Sequence, residues 1–170
     1  MLLRPGPRRS VAIAALVFCA ALPLSPSYFP TPQTAGNQKE TTAPWTGAEA
    51  VSAADFVREI SGAKGAASPT ILYVGFRTLF EGGHVPGAVF HGTAATEKGL
   101  AELKEWLSGL PRTTNLVLYC GCCPLERCPN IRPAYKTARD LGFTRVRVLV
   151  LPTSFAADWV EKHYPMEKGL

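Results

Sequence analysis

Leu116-Val-Leu-Tyr-Cys120-Gly-Cys-Cys-Pro-Leu-Glu-Arg-Cys-Pro-Asn130 is the stretch on which the reading of this chain turns. Four unbroken apolar residues run directly into a thiol, and the composition then changes to cysteine, glycine and proline. A short apolar run bounded by turn signals reads as a buried strand, so Cys120 is delivered at that strand's carboxyl end. Pro124, Pro129 and Pro133 hold the next segment out of a helix until about Ile131. The remaining cysteine of the chain, Cys19, lies in an N-terminal segment expected to be removed. The thiol chemistry of the mature protein is therefore concentrated in one loop.

Outward from that loop, helical and extended patterns alternate. Ser52 to Ile60 starts with a capping serine and carries Asp55 at the third helical position, a capping box with Asp in place of Glu. Ile71 to Val74 reads as a second buried strand. Gly82, Gly83, Pro86 and Gly87 force a turn, and Ala88 to Phe90 is a short strand after it. Residues 96 to 108 read as a helix with Leu100, Leu103, Trp106 and Leu107 on one face. Ile131 to Leu141 is a helix closed by Gly142. Val146 to Leu151 is a strand, with Arg145 and Arg147 on its solvent face. Phe155 to Tyr164 is a last helix, ended before Pro165. Alternation of this kind predicts an α/β fold, with a central parallel sheet and helices on both faces. Ligands in such sheets collect beyond the carboxyl ends of the strands, which is where Cys120 stands.

The N-terminal part of the 170-residue chain has a different character. Arg4, Arg8 and Arg9 precede an apolar run from Val11 to Leu24, too short for a comfortable membrane span and suited to an export signal. Residues 1–24 are therefore read as an export signal or signal anchor. Seven of the fifteen prolines lie at or before position 44, so residues 25–44 are read as a Pro/Thr-rich disordered linker. Residues 45–170 form the folded domain. The expected location is outside the cytoplasm, periplasmic or membrane-anchored facing outward, with the N-terminal segment as a membrane tether. The formal charge of +5 is concentrated before that domain, which carries 14 basic and 12 acidic residues. Such a balance makes no case for nucleic acid.

Several of these features together resemble the rhodanese-like domain family. Gly83-His-Val-Pro-Gly-Ala88 matches that family's glycine-histidine-apolar-proline-glycine-alanine turn. Tyr119-Cys120 matches its strand-end tyrosine and catalytic cysteine. Leu141-Gly-Phe143 followed by Arg145-Val-Arg-Val-Leu149 is similar to a stretch near its end, as are Phe155-Ala-Ala-Asp-Trp159 and Tyr164-Pro165. The resemblance covers about residues 50 to 168. It implies a rhodanese-like fold and sulfur transfer: Cys120 takes a sulfane sulfur from a small donor such as thiosulfate, holds it as a persulfide, and passes it to a thiol or protein acceptor. A thiolate is the nucleophile in such chemistry, and a thiol near a helix N-terminus ionises more easily. The backbone of 121 to 130, beginning with Gly121, is the expected anion cradle, with Arg127 and Arg132 as donor contacts.

The chain departs from the family in three places. Gly75 stands where the family usually has Asp. The cysteine-rich active-site loop is longer, with 22 positions from Cys120 to Gly142. Pro152-Thr-Ser154 replaces a glycine pair before the last helix. An enlarged loop has room for a bulkier partner, or for something besides sulfur.

Cys122, Cys123 and Cys128 admit three readings. They can be resolving thiols that pair with Cys120 or relay its persulfide. They can join Cys120 as ligands of a thiolate-bound metal such as zinc, copper(I) or an iron–sulfur cluster, which gives the alternative of a non-catalytic module that binds a metal or senses thiol/disulfide state. They can form a structural disulfide, which export would allow. No C-x-x-C-H haem motif is present, and no resident cofactor is expected beyond such a metal. His84 reads as a tie on its glycine-rich turn, Arg77 as a support of the fold, and Trp45, Trp106 and Trp159 as core or cap residues.

Overall fold

Strand residues alternate between the two faces of a sheet, and here both faces are apolar, so both must be covered. The computed structural model describes residues 43–62 and 68–170. The segment read as an export signal, and the linker up to position 42, lie outside them. Among the described residues, no helix is long and apolar enough to cross a membrane.

Five strands form one sheet: β1 (Ala50–Ser52), β2 (Thr70–Tyr73), β3 (Val89–Phe90), β4 (Leu116–Tyr119) and β5 (Val146–Val150). Their spatial order is β1-β5-β4-β2-β3, and every pairing is parallel. The helices are α1 (Ala53–Gly62), α2 (Arg77–Gly82), α3 (Glu97–Ser108) and α4 (Ile131–Asp140). On one face, Leu72, Leu116, Leu118 and Val148 pack with Leu103 and Leu107 of α3 and with Ala134 and Ala138 of α4. On the other, Ile71, Tyr73, Val117, Tyr119 and Leu149 meet Phe56 of α1, Phe80 of α2 and Trp159. The expected α/β architecture, a parallel sheet with helices on both faces, is the one that forms.

Most of the expected elements lie within a residue or two of their positions. Ser52 Oγ caps α1 by accepting from the Asp55 N–H at 3.1 Å, while the Asp55 carboxylate accepts from the Ser52 hydroxyl in place of the backbone N–H that the expected capping box would use. Thr96 caps α3 in the same way through the Gly99 N–H. Gly142, at φ +87°, ends α4.

Three details depart from the sequence reading. β1 and α2 were not expected: β1 is a three-residue edge strand, and α2 is a six-residue helix without a capping side chain. The last helix is shorter than expected, a π-helical turn over Ala156–Val160 in which the Glu161 N–H reaches the Ala156 carbonyl. Asp158 lies within this wider turn. Its carboxylate accepts from the Thr153 and Ser154 N–H groups at 2.6 and 2.9 Å, doing in this chain the turn-closing work of the missing glycine pair. Arg147, read as solvent-facing, is partly buried and pairs through both guanidinium nitrogens with Glu59 of α1, at 2.7 and 2.6 Å.

Candidate functional site

β4 is the middle strand of the sheet, and Cys120 is the first residue beyond it. In the alternation of β4, Leu116, Leu118 and Cys120 share a face, so the thiol enters the α3/α4 side of the core and is only 3% exposed. Tyr119 points the other way. Its hydroxyl accepts from the Val85 N–H at 3.0 Å and so fixes the Gly83–Ala88 turn against the end of β4. That turn is tied again by His84, whose Nδ1 donates to the Phe80 carbonyl at 2.8 Å and whose backbone exchanges two 2.9 Å hydrogen bonds with Glu167. His84 serves as the structural tie the sequence suggested.

After Cys120 the chain must reverse sharply. Gly121 does this at φ +71°, in the left-handed region where glycine carries no steric cost. Its carbonyl accepts from the Phe155 N–H at 2.9 Å, and a Cβ at this position would lie 2.7 Å from Phe155 Cβ. The loop folds back on itself through a 3-10 turn at Leu125–Arg127 before α4 begins. The result is a sulfur cluster. Cys120 Sγ lies 3.1 Å from Cys122 Sγ, which lies 3.3 Å from Cys123 Sγ. The sulfurs of Cys120, Cys122 and Cys128 are all within 4.8 Å of one another. All four are free thiols.

Asn130 completes the cluster and was not singled out from sequence. It occupies the position before α4 where a capping residue belongs, yet its side chain makes no cap bond. Instead its amide nitrogen donates to Cys120 Sγ at 3.6 Å and to Cys122 Sγ at 3.8 Å, while its amide oxygen accepts from the Ala95 N–H at 2.9 Å. The side chain is fully buried. The only sequence signal was an asparagine just ahead of a helix, which ordinarily means a cap.

Ionisation within the cluster is uneven, and here the sequence reading needs correction. The backbone N–H groups that open α4, those of Asn130 and Ile131, are directed at Cys128 and not at Cys120. The reason is the loop's return path, which puts Cys128 immediately ahead of the helix. A hydrogen bond from Cys120, together with these N–H groups, lowers the Cys128 thiol to about 5. The hydrogen bond to Cys128 and burial push the Cys120 thiol well above its ordinary range. The N–H groups at the start of α4 thus favour negative charge on Cys128 over Cys120. Burial and the hydrogen bond with Cys122 push Cys123 up to about 12.

Gly75, where a carboxylate was missed, is also explained. A Cβ there would lie 2.4 Å from the Tyr73 hydroxyl oxygen and 3.0 Å from Cys120 Sγ. Tyr73 fills the space a larger residue would need. A cavity of about 400 Å³ opens beside it, and its walls include Gly121, Cys122, Phe155 and Met166, with Lys168 as the one charged side chain. Neither expected donor contact lines this cavity. Arg127 is exposed on the 3-10 turn, and Arg132 lines a separate cavity with Glu49, Tyr135 and Arg139. Arg77 lies over the Phe90 ring at 4.7 Å, as a support would.

No family model matches the sequence, and no curated protein matches it. Solved structures do. A rhodanese-like domain from Anabaena sp., solved by NMR, superposes with a TM-score of 0.53 at 21% identity, over 71% of this chain and 79% of that one. A Bacillus halodurans protein gives a TM-score of 0.53 at 18% identity, over 69% of this chain and 75% of that one. A thiosulfate sulfurtransferase from Pseudomonas aeruginosa aligns more loosely, with a TM-score of 0.48 at 20% identity, over 71% of this chain and 19% of that one.

Proposed function

The chain has a rhodanese-like fold with a cysteine cluster at the carboxyl end of its central strand, and we propose that it carries sulfane sulfur as a persulfide on Cys120. The observation that supports this best is the position of Cys120 itself: at the end of β4, beside a second sulfur at 3.1 Å and under the Asn130 amide. In the reaction, a thiolate attacks the outer sulfur of a sulfane donor. The donor's S–S bond breaks, its electron pair leaves with the departing group, and a new S–S bond forms on the protein. With thiosulfate the departing group is sulfite. A thiol or other thiophilic acceptor then takes the outer sulfur and returns Cys120 to the thiol state, so no external oxidant is consumed. The Asn130 N–H and the backbone N–H of Cys122, both directed at Cys120, suit the anionic persulfide.

The test is sulfur transfer from donor to acceptor by the full chain and by Cys120→Ser. The variant is expected to lose transfer, and full activity in it would end the proposal. Export through the N-terminal segment belongs to the same reading, and recovery of the protein only in the cytoplasmic fraction would remove that part.

A second reading rests on the three sulfurs within 4.8 Å of one another. Thiolates at that spacing suit a soft cation such as copper(I) or zinc. A stoichiometric metal in anaerobically purified protein, with no uptake of sulfur, would favour a binding module over a carrier.

A further inference from the structure

Cys120 carries the sulfur in the reading above, yet it does not face the open cavity. It is 3% exposed, as closely buried as Cys128 at 2%. Cys122 is different. It is half-buried, it forms part of the cavity wall, and its sulfur sits 3.1 Å from that of Cys120. A donor arriving from solvent therefore meets Cys122 first, and the next sulfur inward is Cys120. The cavity also has a definite chemistry. Leu79, Val160 and Met166 on its rim are 49%, 39% and 37% exposed, and Lys168 is its one charged side chain. Small dianions such as thiosulfate are held by clustered cations or guanidinium forks, and neither Arg127 nor Arg132 lines this cavity. An apolar rim suits a donor with a carbon skeleton next to its sulfur.

We propose that Cys122 is the thiol that meets the donor, that the donor is an organic hydropersulfide, and that Cys122 hands the sulfur inward to Cys120. This rests on the carrier reading and adds the route and the substrate class. In the first step, the Cys122 thiolate attacks the outer sulfur of R–S–SH. The donor's S–S bond breaks, RS⁻ leaves with the electron pair and takes up a proton from solvent, and Cys122 becomes a hydropersulfide. In the second step, the Cys120 sulfur attacks the same outer sulfur. The bond to Cys122 breaks, and the proton lost from Cys120 goes to the departing Cys122 thiolate. Both steps are exchanges at one oxidation level.

The experiment uses the reduced full chain under anaerobic conditions, with benzyl hydropersulfide released in situ or thiosulfate as alternative donors. Added sulfur is trapped by alkylation and assigned to a residue by peptide mass spectrometry. In the wild-type protein, sulfur from the hydropersulfide is expected on Cys120. In Cys120→Ser it is expected to stop on Cys122. In Cys122→Ser, Cys120 is expected to load roughly tenfold more slowly or worse, and thiosulfate to load the wild type with a similar handicap. Circular dichroism of Cys122→Ser confirms that the fold is kept, and the trapping result in Cys120→Ser is independent of it. Loading of Cys120 at the wild-type rate in Cys122→Ser, an empty Cys122 in Cys120→Ser, or equal loading by thiosulfate would overturn the relay while leaving the carrier reading intact. Sulfur on no cysteine from either donor would remove both.

Discussion

At the scale of single residues, the site is held by groups that do no chemistry of their own. Asn130 is the clearest. It is fully buried, and its three hydrogen bonds join the sulfur cluster to the backbone ahead of α3. Asn130→Ala removes the acceptor of the part-buried Ala95 N–H and the amide donor to two sulfurs, and a hydrogen bond contributes about 0.5–1.5 kcal/mol net. The expected result is a loss of stability in that range by denaturant titration, together with slower sulfur loading. An unchanged midpoint would show that the Asn130 bonds carry no weight. Gly75 is the second case. With a Cβ position 2.4 Å from the Tyr73 hydroxyl, Gly75→Ala overpacks the wall of the site and is expected to cost about 1–3 kcal/mol. A family-like carboxylate at this position has no room unless Tyr73 moves.

At the scale of elements, legibility in the sequence followed the strength of the periodicity. α3 and α4 each carry an apolar stripe long enough to specify one face, β4 is an unbroken apolar run buried on both, and each lies where it was expected. β1 and α2 were not legible because three or six residues cannot establish a period. The last helix was overread: Phe155 and Trp159 stand one helical turn apart, but regular α-helical bonding gives way to a π turn over Ala156–Val160. Cys120 was legible because a strand leads into it. The ionisation of Cys128 and the role of Asn130 were not: the first depends on the loop folding back to set Cys128 against Cys120, the second on a contact with Ala95, 35 residues away in sequence.

The Glu59–Arg147 pair makes a prediction at this scale. It joins α1 to β5, and the Arg147 hydrogen bonds hold the Glu59 carboxyl below its ordinary value of 4.5. A carboxyl depressed by folding contributes stability that is fully present above its unfolded pKa and is lost as pH falls through its folded pKa. Glu59→Gln should therefore cost about 1 kcal/mol at neutral pH, and the difference from wild type should shrink below about pH 4.5. A difference independent of pH would assign the cost to packing instead.

At the scale of the whole molecule, the parallel order β1-β5-β4-β2-β3 puts the end of the central strand between two covered faces. The residue that follows β4 is thus buried, and the loop's return brings Cys128, ahead of the start of α4, against it. This chain places four thiols there and exposes one of them to an apolar cavity. The fold supplies the position, and the loop supplies the chemistry.

The measurement that tests this most directly is native mass spectrometry of the reduced full chain, kept anaerobic, before and after a sulfane-sulfur donor. The account predicts a gain of one sulfur atom that a thiol acceptor removes, mapped to Cys120 and absent from that position in Cys120→Ser. A bound metal with no sulfur gain, or a gain that is unchanged at every cysteine when Cys120 is replaced, would contradict it.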